Sequence, residues 1–395
     1  MKFLLIHNFY QQPGGEDSVF KREGRLLEEA GHEVIRYTAH NNLIDGLGKT
    51  QLLKATLWNS AIYRELRKLI HQERPNVVHF HNTFPLISPA AYHAAKAENV
   101  AVVQTLHNYR LICPAAILFR NSLPCELCCN KAFPWPGIIH ACYRESYAGS
   151  LTVGIMLGLH RLIHTWDLKV DAYIALTEFA RKKFIEGGLP AKAIAVKPNF
   201  IHPDPCPGEG KGSFALFVGR LTQEKGIETL LAAWRLIGTC LPLYIVGDGP
   251  LGRMVAEAAE RSPGITWCGR LEQEEVYHLM GEAKFVVVPS LWYETFGLVV
   301  IEAFAKGTPV IASKVGAIGE LIIHEKTGLH FKPGDHQDLV EKVQWFQSNP
   351  NEVLRMRREA RRHYEEKYTA KGNYELLMRI YNQAIRGHIE RNKLG

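Results

Sequence analysis

Short, almost wholly apolar runs recur along this chain, and segments of helical periodicity separate them. The runs are 3–7 FLLIH, 77–80 VVHF, 100–104 VAVVQ, 172–176 AYIAL, 214–218 FALFV, 243–246 LYIV, 285–289 FVVVP and 309–312 PVIA. A strand that is apolar on both faces must be covered on both faces. Helices that return between parallel strands do this. The pattern predicts an α/β fold of doubly wound parallel sheets. The first helix shows the grammar. Asp17 and Ser18 stand where caps belong, Val19, Phe20, Leu26, Leu27 and Ala30 form an apolar stripe, and Gly31 ends it.

The alternation breaks at 197–212, KPNFIHPDPCPGEGKG, which holds four prolines and three glycines and cannot lie inside an element. It divides the 395 residues into a Rossmann-like α/β domain at 1–200, a linker at 201–212 and a second Rossmann-like α/β domain at 213–367. Residues 368–395 read as one helix returning to the first domain. Ligands of doubly wound sheets bind beyond the carboxyl ends of the strands, so a cleft between the domains is the expected site.

The net charge of +7 is a mild bias that suits an anionic ligand or an anionic membrane surface. No dense basic block or nucleic-acid motif is present, which argues against a nucleic-acid partner. The longest apolar candidate, 151–159 LTVGIMLGL, is half of a membrane span. The N-terminal apolar stretch is too short for a signal peptide. A cytoplasmic protein is expected.

Four segments carry chemistry. In 292–304, WYETFGLVVIEAF, Glu294 lies in the loop beyond a strand and Glu302 about two turns into the following helix. Between them Gly297 permits close approach, and the first-turn N–H groups around Phe296 and Leu298 can hold an anion. Carboxylates here can accept hydrogen bonds from the vicinal hydroxyls of a sugar or ribose. The plainer reading is a loop acid and a solvated helix acid. In 217–231, FVGRLTQEKGIETLL, a strand ends at Gly219 and is followed by Arg220 and Lys225. Two cations at a strand mouth can clamp a diphosphate, unless they are merely surface charges beside Glu224 and Glu228. In 8–20, NFYQQPGGEDSVF, Gly14 and Gly15 let backbone approach a ligand. The segment lacks G-x-G-x-x-G, so no nicotinamide site is read. In 102–111, VVQTLHNYRL, His107 follows a strand; His79 and His81 are a similar pair. Any of these histidines can equally be structural.

Taken together, GRLTQEKG and PSLWYETFGLVVIEAFAKGTPVIASKVG, with GGED, TLHN and IVGDGP, closely resemble the family-4 retaining glycosyltransferases of the GT-B fold. The resemblance covers essentially the whole chain and is most specific in its second half. It implies that Arg220 and Lys225 neutralise a donor diphosphate, with Gly219 beside them. It implies that Glu302 holds ribose hydroxyls and that Glu294 holds the transferred sugar with the backbone of Phe296, Gly297 and Leu298. Gly14 and Gly15 would approach the diphosphate, Arg270 and Leu271 would contact the base, and His107 would sit by the reacting centre. No Asp-x-Asp metal motif is present, so no catalytic cofactor is expected. The family commonly has Asp after this histidine; here it is Asn108, which removes a carboxylate role there.

The resemblance implies transfer of a hexose-type sugar from a nucleotide-diphosphate sugar, UDP-sugar first and GDP-sugar next, to a saccharide or lipid-linked acceptor. Polysaccharide or glycolipid assembly is the expected setting. A sugar-nucleotide epimerase or phosphorylase, or a non-catalytic sugar-nucleotide-binding protein, are the alternatives.

Two features stand outside this pattern. Five of the eight cysteines fall within 113–142, and Cys113, Cys125, Cys128 and Cys142 can make a tetrahedral structural Zn site. Packed thiols or a disulfide are the other readings. The stretch 52–70, LLKATLWNSAIYRELRKLI, reads as a basic amphipathic helix that either lies on an anionic membrane or packs on its own domain.

Overall fold

The computed structural model describes residues 1–12 and 14–394. The chain divides into two compact units. The first holds Met1–Leu118, Glu126–Pro198 and the chain from Asn373 onward; the second holds Phe119–Cys125 and Asn199–Gly372.

Strands β1 (Lys2–Phe9), β2 (Glu33–His40), β3 (Val77–Asn82) and β4 (Ala101–Thr105) belong to the first unit. The short antiparallel pair β5 (Phe119–Arg120) and β6 (Leu123–Pro124) groups with the second. Strands β7 (Ala172–Ala175) and β8 (Ile194–Val196) complete the first sheet, in the order β2-β1-β3-β4-β7-β8, all parallel. The second sheet is built of β9 (Ala215–Val218), β10 (Leu243–Val246), β11 (Ile265–Gly269), β12 (Phe285–Val288), β13 (Val310–Ser313) and β14 (Gly328–Phe331). Its order is β11-β10-β9-β12-β13-β14, again all parallel.

Each sheet therefore reverses its winding once, between β1 and β3 in the first and between β9 and β12 in the second. The crevice beyond the strand ends at such a reversal is where an open parallel sheet offers a ligand site. Every segment singled out for chemistry except the loop at Arg270 and Leu271 follows one of these strands or β4.

The cores form because the inner strands are apolar on both faces over most of their length. Phe3, Leu5, Val77, Val103 and Ile174 meet Phe20 and Leu27 of the first helix, Gly15–Glu29. Leu377, Ile380, Tyr381 and Ala384 of the last helix, Ala370–Leu394, complete this core. In the second unit Phe217, Ile245, Phe285, Val287 and Ile311 pack around Trp234. Each such side chain contributes about 1.5–3 kcal/mol by leaving water.

Two expectations change. The first helix begins at Gly15 with Gly14 as its cap, and Asp17 lies inside the first turn, where its carboxylate accepts the Gly14 N–H at 2.8 Å. The stretch 52–70 is two helices, Lys49–Leu57 and Ser60–Glu73. The break comes at Asn59, whose side-chain oxygen takes the N–H groups of Ala61 and Ile62 and so favours a new start over continuation. Trp58 then turns inward against His93, Tyr63 and His160, stacked on the last ring. Trp58 remains half-buried, so part of its ring is engaged within the unit.

Candidate functional site

In the second unit the loops after β9 and β12 are tied together. Gly226 has φ +74°, and a Cβ there would lie 1.8 Å from the carbonyl oxygen of Pro289. Only glycine permits that approach. Nearby, the Leu291 N–H donates to the Glu224 carbonyl at 2.8 Å. The tie sets Lys225 against the end of β12, where its Nζ lies 2.8 Å from Glu294 Oε1 and 5.5 Å from the Trp292 ring centre.

Glu294 is buried and also accepts the Ser290 hydroxyl at 2.7 Å. Burial pushes its carboxyl up, but the Lys225 charge and the hydrogen bonds from Lys225 and Ser290 prevail and hold it below the usual carboxylate range. Gly297 follows at φ +111°, packed where a Cβ would meet Ile318, and caps the helix Leu298–Ala305. The helix starts later than the sequence suggested, so Glu302 stands one turn in. Phe296 is buried, and Glu302 and Leu298 are half-buried. Gly219 directly follows β9 with its N–H on the Val246 carbonyl, and Arg220 comes next, exposed. Arg270 is exposed and Leu271 half-buried, in the loop after β11.

In the first unit His107 follows β4. Its Nε2 lies 2.9 Å from His81 Nδ1, and the two rings stack at 5.1 Å. Behind them is a buried group that the sequence reading did not assemble. Glu23 Oε1 lies 3.2 Å from His81 Nε2 and 3.0 Å from His79 Nδ1, and Lys197 Nζ lies 3.0 Å from Glu23 Oε2. His79 also meets Thr105 Oγ1 and Tyr381 OH, each at 2.8 Å. Burial drives His107 well below the ordinary histidine range, and burial followed by the His79 charge pushes His81 down to about 3. Both rings are neutral at pH 7. A signal for Glu23 was present: it stands four residues from both Val19 and Leu27, on the apolar stripe of its helix.

Asn108 adapts the position where a carboxylate was expected. Its amide donates to Glu16 Oε2 at 3.2 Å and to Tyr10 OH at 3.3 Å. Burial raises the Glu16 carboxyl to about 8. Gly14 and Gly15 are exposed at the start of the helix carrying Glu16, and Asp17 is fixed there by His7 Nε2 at 2.7 Å.

The zinc expectation is not supported. Four thiolates around Zn at about 2.3 Å must lie within about 4 Å of one another. Among the described residues only Glu23, His79 and His81 bring three potential ligand atoms within 4.8 Å. Cys113, Cys125, Cys128 and Cys142 form no such group; Cys113 and Cys142 are held in separate turns, with Cys113 N–H on the Tyr109 carbonyl and Cys142 N–H on the Gly137 carbonyl. Nor does the Glu23 group suit a metal, because the Lys197 ammonium already supplies its cation.

The sequence model described as Glycosyltransferase Family 4 matches residues 13–205, and that described as Glycosyl transferases group 1 matches residues 207–363. The uncharacterized glycosyltransferase MJ1178 of Methanocaldococcus jannaschii is 30% identical over 351 residues, 87% of each chain. The phosphatidyl-myo-inositol mannosyltransferase of Mycobacterium leprae is 28% identical over 261 residues, 62% of this chain and 67% of that one. Among solved structures, Anabaena Alr3699/HepE in complex with UDP superposes with a TM-score of 0.68 at 17% identity, covering 96% of this chain and 99% of that one.

Proposed function

The chain belongs to the family-4 glycosyltransferases of the GT-B fold, and from that premise we propose that it transfers a hexose-type sugar from a nucleotide-diphosphate sugar, with retention and without a catalytic metal. UDP-sugar is the first choice of donor and GDP-sugar the second. The acceptor is a saccharide or a lipid-linked glycan in polysaccharide or glycolipid assembly. In the lipid-linked case the enzyme works peripherally at the cytoplasmic face of an anionic membrane. The UDP in the HepE complex supports the donor class.

The observation that carries this reading is the 2.8 Å contact between Lys225 and Glu294. In a sugar nucleotide the hexose and the diphosphate share one oxygen. A site for it needs an anion-binding cation beside a hydroxyl-binding carboxylate, and these two residues stand together at the winding reversal of the sheet. Arg220 joins Lys225 on the diphosphate, Glu302 takes the ribose and Arg270 with Leu271 the base. Phe296, Gly297 and Leu298 offer backbone to the sugar and Gly14, Gly15 and Gly219 to the diphosphate. His107 serves the reacting centre.

The chemistry follows from charge. As the glycosidic bond breaks, the sugar becomes oxocarbenium-like and negative charge grows on the leaving phosphate. Arg220, Lys225 and first-turn N–H groups stabilise that charge. The leaving oxygen takes the acceptor proton on the face it departs from, which gives retention.

A thermal-shift series with UDP, GDP, ADP, CMP, NAD and phosphate, with Arg220→Ala as control, tests the donor site. A shift with one nucleoside diphosphate that disappears in the variant is expected. A response to NAD alone, or to no nucleotide, would end this reading. An inverted product anomer would remove the retaining step.

A further inference from the structure

The helix Tyr147–Leu162 departs from the usual rule that a surface helix turns polar residues outward. Its buried face holds Val153, Gly154, Met156 and Leu157. Its exposed face is apolar as well. Tyr147, Leu151, Ile155, Leu159 and Leu162 are exposed by between 36% and 76%. Their spacing of three or four residues makes one continuous stripe, about 22 Å long at 1.5 Å per residue.

The neighbouring helix Trp135–Ile139 widens the stripe with the exposed side chains of Trp135 and Ile139. Close packing holds it there. A Cβ on Gly154 would meet Ile138 at 2.9 Å, and one on Gly158 would meet Phe133 at 2.7 Å. An apolar surface this extended on a folded protein marks a contact face.

The charges beside it indicate the partner. Residues 131–169 hold four cations, Lys131, Arg144, Arg161 and Lys169, against two acids, Glu145 and Asp167. Lys131 lies 5.4 Å from the Trp135 ring centre, so cation and aromatic occupy one edge of the face. No described helix is long and apolar enough to cross a membrane. An apolar stripe with an exposed Trp, an exposed Tyr and flanking cations has the composition of a helix lying in the headgroup plane.

We propose that the face formed by helices Trp135–Ile139 and Tyr147–Leu162 docks on an anionic lipid bilayer. This rests on the membrane part of the function proposed above and moves the contact away from the 52–70 stretch. The full chain is floated with vesicles of phosphatidylcholine mixed with phosphatidylglycerol, and with phosphatidylcholine alone. Flotation is expected with the mixed vesicles, weaker without the anionic lipid. Leu151→Asp/Ile155→Asp should lower partitioning about tenfold for each lost anchor. Trp135→Ala, on the neighbouring helix, should lower it as well. The UDP thermal shift is followed in the same samples and should not change; its loss with flotation retained would indict the donor reading and leave the surface standing. Wild-type protein that fails to float, or variants that float as well as wild type, would overturn the proposal. So would a dimer in light scattering that the variants dissociate, which would assign the face to a second copy of the chain.

Discussion

His81 Nδ1 and His107 Nε2 face each other at 2.9 Å, and only one of these two nitrogens can carry the proton between them. The choice is made on the far side of His81. Glu23 there is a carboxylate, because Lys197 beside it prevails over burial and keeps it ionised. A carboxylate repels a lone pair, so the Glu23 charge 3.2 Å away favours the proton on His81 Nε2, although the two atoms are not aligned as a hydrogen bond. His81 Nδ1 is then a lone pair, and His107 must donate from Nε2. Glu23 is a positioning residue for His107. Ring nitrogen shifts of ¹⁵N-histidine protein at pH 7.5 should show both rings as neutral Nε2–H tautomers. Glu23→Gln, whose amide can donate or accept, should mix them; a single unchanged tautomer in that variant would sink the relay. Glu23→Ala should cost about 3 kcal/mol in urea unfolding, because it leaves the Lys197 ammonium buried without its partner.

The Lys225–Glu294 pair predicts a pH-dependent effect. Glu294 has its folded pKa lowered, so it contributes stability above the unfolded carboxyl range that is lost as pH falls through the folded value. Lys225→Ala removes that term and leaves a buried carboxylate held by Ser290. Its destabilisation should reach about 2 kcal/mol at pH 7 and shrink toward pH 4. Urea unfolding at the two pH values measures it; an equal loss at both would show that the pair is not what holds the loop.

Glu16 works with the opposite sign. Its folded pKa is raised to about 8, so the folded state favours the protonated acid and its contribution falls as pH rises from the unfolded carboxyl range toward 8. Glu16→Gln keeps the shape and removes the titration. Relative to wild type, the variant should gain about 2 kcal/mol between pH 5.5 and pH 8, a figure kept low because Glu16 is only half-buried by surface area. Two denaturation curves per protein test this; a constant difference would return Glu16 to an ordinary acid.

The strands that the sequence made legible are those with neighbours on both sides. All eight apolar runs are strands to within a few residues: β1, β3, β4, β7, β9, β10, β12 and β13. Of the two six-stranded sheets it missed β2, β8, β11 and β14, which are their edges, and it also missed the two-residue strands of the β5–β6 pair. An edge strand is covered less completely and need not be apolar throughout. β2, EVIRYTAH, has no buried residue, and β8 is three residues long. The site shows a similar divide. Glu294, Lys225 and Gly297 stand at strand-to-helix turns and could be read from local spacing. Lys197 could not, because its partner Glu23 is 174 residues away in the sequence. The cysteine cluster misled for the same reason: closeness in sequence is not convergence in space.

Gly226 provides the sharpest test of how the loop carrying Lys225, the proposed donor-site cation, is held. Gly226 and Gly31 have a similar left-handed φ, +74° and +81°, but a Cβ on Gly31 would meet nothing within 4 Å. Gly31→Ala should therefore cost only the conformational strain, about 1 kcal/mol. Gly226→Ala must also push the Pro289 carbonyl away, and with it the loop that sets Lys225 against Glu294. It should cost at least about 3 kcal/mol and weaken UDP binding, while Gly31→Ala leaves UDP binding unchanged. Paired urea unfolding and UDP titration decide the matter. Equal stability losses with unchanged UDP binding in both variants would mean that the β9 and β12 loops hold their arrangement without the close approach, and the account of how Lys225 reaches Glu294 would have to be replaced.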